Sequence, residues 1–265
     1  MTSKLHLLSN FRIVLCQTSH PGNIGAAARA MKTMGLSQFY LVAPKQFPDK
    51  EATSLATNAA DLLESAHVCA TLEEALTGCT LVIGLSARKR QLSHELLSSR
   101  QAVSEAVNLL SMETTNNQHQ VALLFGTEMS GLSNAELDLC QLLAMIPTNP
   151  DFSSLNIAAA VQVMCYEIRM ALLDADAPLS QLPNNQIKPQ PDKTVELASI
   201  DEIEGMYQHM ESTLKKIGFL KPKTPGRIMQ RLRRMYARAR LEKEEVRILR
   251  GIFKLMQTPR PPENK

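Results

Sequence analysis

The feature that most constrains this chain is an alternation. Up to about Asp174, short and nearly unbroken apolar runs take turns with helical patterns. The runs are Phe11–Cys16 (FRIVLC), Gln38–Val42, Thr80–Leu85 (TLVIGL), Val121–Phe125 (VALLF) and Leu142–Ile146. A strand that is apolar on both faces is buried on both faces, as in parallel sheets covered by helices. Between the first two runs, Ile24–Met34 reads as a helix with Asn23 at its N-cap and Gly35 as its stop. Pro44 ends one strand and Pro147 another, after which Ser153 or Ser154 is placed to cap a long helix to about Leu173. The pattern predicts an α/β domain with a parallel sheet.

That domain is expected to span residues 1–173. Residues 174–197 read as a linker, rich in proline and polar residues and without apolar periodicity. Residues 198–265 read as a small helical extension, with helices over about Ile200–Ile217 and Pro225–Met256 broken at Gly218 and Pro222.

Charge sets the extension apart. The formal net charge is only +3, yet Lys221 to Arg250 holds eleven Lys or Arg against three Glu, which is +8 and leaves 3 − 8 = −5 for the rest. A solvated helix is the plain reading, but like charge so concentrated points more strongly to a polyanion such as RNA. Arg227, Arg231, Arg234 and Arg238 recur at helical spacing and share a face, beside an apolar stripe of Ile228, Leu232 and Met235 that can dock the helix. The beginning of the chain lacks the pattern of a signal peptide, and no apolar run approaches the roughly 18 residues of a membrane span. Cys16, Cys69, Cys79, Cys140 and Cys165 are scattered among mostly apolar neighbours, and the six histidines form no ligand-spaced cluster. The expectation is a cytoplasmic protein with reduced core cysteines, no metal and no membrane.

Three segments carry polar groups suited to chemistry. Thr18–Arg29 (TSHPGNIGAAAR) sits at a strand-to-helix junction, where glycines allow close backbone approach and a helix N-terminus attracts anions. Asn23 and Arg29 there suit phosphate or sugar oxygens, and tight packing alone is the competing explanation. Phe125–Leu132 (FGTEMSGL) flanks a carboxylate with glycines just after a strand, where α/β proteins place ligands, although an ordinary β–α loop looks the same. Ile146–Thr148 and Ser153–Asn156 lead into the last helix and offer two hydroxyls and an amide, suited to capping or to a ligand. The small-residue helix behind them is expected to be buried, against another subunit if not within the chain.

HPGNIGAAARAMKTMGL, LLFGTEMSGLSNAEL and IPTNPDFSSLNIAAAVQVMCYEIRMALL, in this order, resemble the three motifs of the SPOUT class of RNA ribose methyltransferases. TLKKIGF, PGRIMQRLRRMYARAR and ILRGI resemble the C-terminal extension of its bacterial tRNA (cytidine/uridine-2′-O)-methyltransferases, so the likeness covers nearly the whole chain. It implies a parallel sheet with a trefoil knot, a homodimer and a tRNA substrate methylated at the first nucleotide of the anticodon loop. It also implies S-adenosylmethionine as cofactor. The matching cofactor positions are Leu85, Ser86 and Ala87 after the third run and Gly126 in the second motif. Ile146, Ser153, Ser154 and Leu155 match in the third. Arg29 of the partner subunit would face the target ribose, with Asn23, Glu128, Ser154 and Asn156 nearby. Arg90 matches a basic residue near the RNA. One departure stands out. The subgroup commonly has FGRE in its second motif, where this chain has Thr127 in the arginine's place, so any phosphate role there is absent or moved to Lys89 or Arg90.

The reaction so implied is in-line transfer of a sulfonium methyl to a ribose 2′-oxygen, with the hydroxyl proton removed. A guanidinium is a poor base near neutral pH, which suits Arg29 to clamping a phosphate and stabilising a developing alkoxide, with the proton leaving through a phosphate oxygen or Ser154. A ribose methyltransferase for rRNA or another tRNA position would share the fold but not the tail. A non-catalytic RNA-binding protein leaves Arg29, Glu128 and Asn156 unexplained, and a nicotinamide oxidoreductase predicts a GxGxxG that is absent.

Overall fold

The structure, a computed structural model, describes residues 4–86, 96–111, 119–175, 196–220 and 225–257. The alternation is realised as a seven-stranded sheet among these residues, with every pairing parallel. Five strands lie within a residue of the expected runs: β1 Phe11–Cys16, β2 Gln38–Val42, β4 Leu81–Leu85, β6 Val121–Phe125 and β7 Leu142–Met145. Two were not expected, β3 His67–Cys69 and β5 Leu96–Ser98. Both are three-residue strands at the sheet's edges, too short to stand out as apolar runs.

The order is β3-β2-β1-β6-β4-β7-β5. β6 lies between β1 and β4, and β7 between β4 and β5, so strands that come late in the chain separate strands that came early. As all are parallel, the carboxyl ends of β1, β6, β4 and β7 stand side by side. Their following loops share one edge of the sheet, the place where open α/β sheets hold ligands. The central strands form the core, with Ile13, Leu123 and Ile83 each 0% exposed.

α1 (Pro21–Met34) starts three residues before the expected helix. Proline suits the first helical position because its φ is preset and it has no N–H to leave unpaired. His20 stands at the N-cap without a side-chain bond, so Asn23 is not the cap and lies within the first turn. Gly35 ends the helix at φ 85, as expected. α2 (Lys50–Ala56) and α3 (Ala60–Glu64) pack on α1. Gly25 passes α2 so closely that a Cβ there would lie 2.0 Å from the carbonyl oxygen of Ala52. α4 (Leu72–Leu76), α5 (Ser99–Leu110) and α6 (Asn134–Leu137) follow, and α7 (Ile157–Ala175) packs against α1 and α5. The cap of α7 is Asn156 rather than Ser153 or Ser154: its Oδ1 accepts from the N–H of Ala158 at 2.9 Å and of Ala159 at 3.4 Å. All five cysteines are free and buried, and burial pushes the thiols of Cys16, Cys140 and Cys165 up, so they stay neutral core groups.

The chain divides into two compact units, Met1–Lys193 and Thr194–Lys265. Most of the segment read as linker lies outside the described residues. Its last two residues do not behave as a linker: Leu197 bridges Glu242, and Lys243 N–H donates to the Glu196 carbonyl at 2.8 Å. The second unit holds α8 (Ile200–Lys216), α9 (Pro225–Ala239) and α10 (Lys243–Gln257). The single helix expected over Pro225–Met256 is therefore two. Arg240 turns the chain at φ 49, and the bridge at Glu242 replaces helical bonding there. Met206, Tyr207, Met210, Met229 and Phe253 are buried in this unit's own core. Ile228 and Leu232 pack against that core as expected, but Met235 is 45% exposed. The inward side of α9 runs through Met229, Leu232 and Tyr236, at steps of three and four, and this turns Met235 outward. Arg233 forks onto the Glu204 carboxylate with two nitrogens and lies over the Tyr207 ring, 4.5 Å from its centre.

Among the described residues no helix is long and apolar enough to cross a membrane, and no group of three or more His, Cys, Asp or Glu could hold a metal ion.

Candidate active site

Three loops converge at the carboxyl edge of the sheet, after β1, β6 and β7. One carboxylate ties the first two together. Glu128, in the loop after β6, accepts from Ser19 Oγ at 2.9 Å and from the Ser19 N–H at 3.3 Å. It also accepts from the His20 N–H at 3.4 Å and from Asn23 Nδ2 at 3.0 Å. Burial by itself would raise this carboxyl, but the bonds from Asn23, its own backbone and Ser19 outweigh it and hold the group down to about 2. The site also lies at the N-terminus of α1, where a negative charge is favoured. Asn23 passes the connection on: its Oδ1 accepts from Asn156 Nδ2 at 2.9 Å, and Asn156 in turn caps α7. Glu128, Asn23 and Asn156 thus form one chain of bonds across the three loops.

The glycines of the second loop shape the loop itself. A Cβ on Gly126 would lie 2.1 Å from the carbonyl carbon of Gly131, and Gly131 has φ 67. The Gly131 N–H donates to the Thr127 carbonyl at 2.9 Å, closing a tight turn. The space beside Gly126 is therefore filled by this chain's own backbone. Thr127 Oγ1 lies 2.7 Å from Ser130 Oγ and its hydroxyl stays within the turn.

A cavity of about 440 Å³ opens beside this turn. Leu85 and Ser86 line it from β4, Gly126 from the second loop, and Ile146, Ser153, Ser154 and Leu155 from the third. These are the expected cofactor positions save Ala87, which with Lys89 and Arg90 falls outside the described residues. Glu128 and Asn156 also reach the lining, whereas Asn23 stands behind them and Arg29 does not line it. Arg29 is exposed on α1, six residues beyond Asn23 and so roughly 9 Å along the helix axis. Ser154 is exposed. Three residues of this edge were not singled out by sequence: Ser19, which gives Glu128 two donors, and Met129 and Phe152, which line the cavity mouth. The available signal for Ser19 was an acid needing partners opposite a helix start; nothing in the apolar patterning marks Met129 or Phe152.

A parallel sheet with interleaved late strands, and a cavity formed by the loops that end them, define a class. The chain belongs to the SpoU rRNA Methylase family, whose model matches residues 10–166. A second model, the C-terminal domain of tRNA methyltransferase TrmJ, matches residues 201–265. The resemblance carried by the three motifs and the tail is thereby borne out. Similar proteins include the tRNA (cytidine/uridine/adenosine-2′-O-)-methyltransferase TrmJ of Pseudomonas aeruginosa (strain UCBPP-PA14), 47% identical over 93% of either chain. The tRNA (cytidine/uridine-2′-O-)-methyltransferase TrmJ of Escherichia coli (strain K12) is 45% identical over 93% of this chain and 95% of its own. Among solved structures, TrmJ from Z. mobilis ZM4 superposes with a TM-score of 0.76 at 29% identity, over 93% of this chain and 99% of that one.

Proposed function

We propose that this chain is a tRNA ribose 2′-O-methyltransferase that uses S-adenosylmethionine, acts as a homodimer in the cytoplasm and methylates the first nucleotide of the anticodon loop. The observation that carries the reading is a cavity lined by the second and third motif loops, to which Asn23 of the first is tied through its bonds with Glu128 and Asn156. Similarity to tRNA 2′-O-methyltransferases over 93% of the chain supports the substrate. The trefoil knot is part of the same reading, and so is the division at 1–173, 174–197 and 198–265.

A cavity of about 440 Å³ suits a nucleoside-sized ligand. Leu85, Gly126, Ile146 and Leu155 would hold the cofactor, with Ser86, Ser153, Ser154 and Ala87 completing its seat. When bound, S-adenosylmethionine supplies an electrophilic methyl group. Glu128 is fully engaged as an acceptor and already ionised far below neutral pH, which makes it a weak base. Its part is to hold the β1 and β6 loops in place, and Asn23 and Asn156 extend that hold to α7. Arg29 of the partner subunit clamps the phosphate beside the target ribose and stabilises the alkoxide as it forms. The hydroxyl proton leaves to that phosphate, directly or relayed through the Ser154 hydroxyl, which gives up its own proton as it accepts. Tyr166 and Leu173, 47% and 40% exposed on α7, are apolar surface available to a second copy.

Ribose-methylation mapping of tRNA from cells with and without this protein tests the reading: the mark at the first anticodon-loop nucleotide should vanish in its absence. Arg29→Ala should cut transfer by roughly 100-fold or more while calorimetric cofactor affinity stays unchanged. Mixing that variant with one defective only in cofactor binding should restore activity if the site is shared between subunits.

A further inference from the structure

We propose that Phe152 is a stacking platform for the base of the nucleotide whose ribose is methylated, an inference that rests on the methyl-transfer reading above. Phe152 lines the cavity, yet it is 79% exposed. Met129, on the loop after β6, lines the same cavity and is 95% exposed. A single exposed apolar side chain is ordinary. Two of them on the mouth of one cavity, supplied by two different loops, form a rim suited to a flat apolar ligand.

The loop presents Phe152 in a braced position. Its N–H donates to the Asn149 carbonyl at 3.0 Å, and the Asp151 N–H donates to Asn149 Oδ1 at 3.0 Å. On the other side, Thr148 Oγ1 donates to the Ser153 carbonyl at 3.2 Å. Four residues further along the same loop, Asn156 joins the bonds to Asn23 and Glu128. One loop therefore carries both an aromatic ring and part of the polar network next to which the ribose would react.

Leu85, Gly126 and Ile146 are half-buried in the cavity wall and Leu155 is 40% exposed, whereas Phe152 is 79% exposed. A cofactor seated against those wall residues would leave the Phe152 ring in solvent. A loop nucleotide that is turned out to expose its 2′-hydroxyl loses its stacking neighbours, and an aromatic side chain replaces them. Phenylalanine has no donor or acceptor and offers the same face to any base. Phe152 thus strengthens binding of the target nucleotide without reading its identity.

The test crosses a change in the protein with a change in the RNA. On an intact tRNA transcript, Phe152→Ala should lower kcat/KM by roughly 5- to 100-fold, and Phe152→Tyr should stay within about twofold of wild type. On the same transcript with an abasic target nucleotide, wild type and Phe152→Ala should be equal. Calorimetric affinity for S-adenosylmethionine and the sedimentation coefficient should not change. A loss of the same size on both RNAs overturns the proposal, as does weakened cofactor binding or an altered oligomeric state. Stacking is also read without turnover by placing 2-aminopurine at the target position. RNA bound to wild type should fluoresce less than RNA bound to Phe152→Ala. That difference without methyl transfer upholds the stacking and defeats the methyl-transfer reading; equal fluorescence with the two proteins overturns the stacking.

Discussion

Glu128 shows how one side chain can tie two loops together, through its bonds with Ser19, His20 and Asn23. Its carboxyl is held at about 2 against an ordinary 4.5, so folding favours the ionised form. That stability is present in full above about pH 4.5 and is lost as pH falls toward 2. Glu128→Gln should cost about 1–2 kcal/mol at pH 7, allowing for solvent screening of a carboxylate only partly buried. The gap between wild type and variant should be more than half closed by about pH 3, and urea unfolding at several pH values measures it. A gap that persists unchanged at low pH would mean that the ionised form is not what the loops hold. The partner residues were less legible than Glu128 itself. An acid between two glycines after a strand draws attention in any sequence, but Ser19 and the Asn23–Asn156 bond join positions 109 and 133 residues away from their partners. Only the folded sheet brings them together.

At the level of elements, α9 carries the clearest consequence of its sequence. Arg227, Arg231 and Arg238 are exposed and Arg234 is half-buried, while Met229 is anchored in the core. Replacing the four arginines by Gln should flatten the plot of log tRNA affinity against log salt by roughly 2–3 units, about one for each phosphate that is no longer neutralised. An unchanged slope would assign the face to solvent. The strands that were apolar through their whole length were legible to within a residue, because burial on both faces leaves no other composition open to them. The edge strands β3 and β5 were not, since three residues give no period. The break between α9 and α10 was hidden for a different reason. Arg240 adopts a left-handed conformation that glycine or asparagine usually marks, and here the bridge between Leu197 and Glu242 holds the turn instead.

The molecule as a whole is two units, each with its own core. Every described residue of the cavity lies in the first, and the basic helix face lies in the second. Residues 1–175 alone should therefore fold and bind S-adenosylmethionine with the affinity of the full chain, while their affinity for tRNA falls steeply. Calorimetry and filter binding measure the two separately, and unchanged tRNA affinity would remove the second unit from recognition. The existence of a parallel sheet was legible at this scale, but the order of its strands was not. Periodicity says which residues are buried and is silent on which strand lies next to which, and the family resemblance gave a parallel sheet without the order of its strands.

The placement of β6 between β1 and β4 has a consequence for the chain as it is being made. Until Val121–Phe125 leaves the ribosome, β1 has one edge without a strand to pair with and β4, whose partners β6 and β7 both come later, has two. From Thr18 to Asn156 is 138 residues, which at typical translation speeds takes roughly 7–28 s. Until β6 is made the nascent chain holds these open, apolar edges, and until Asn156 is made it holds no complete site. Exposed edges recruit other strands readily, so the sheet is most vulnerable to mispairing during its own synthesis and least so once β6 and β7 have closed it.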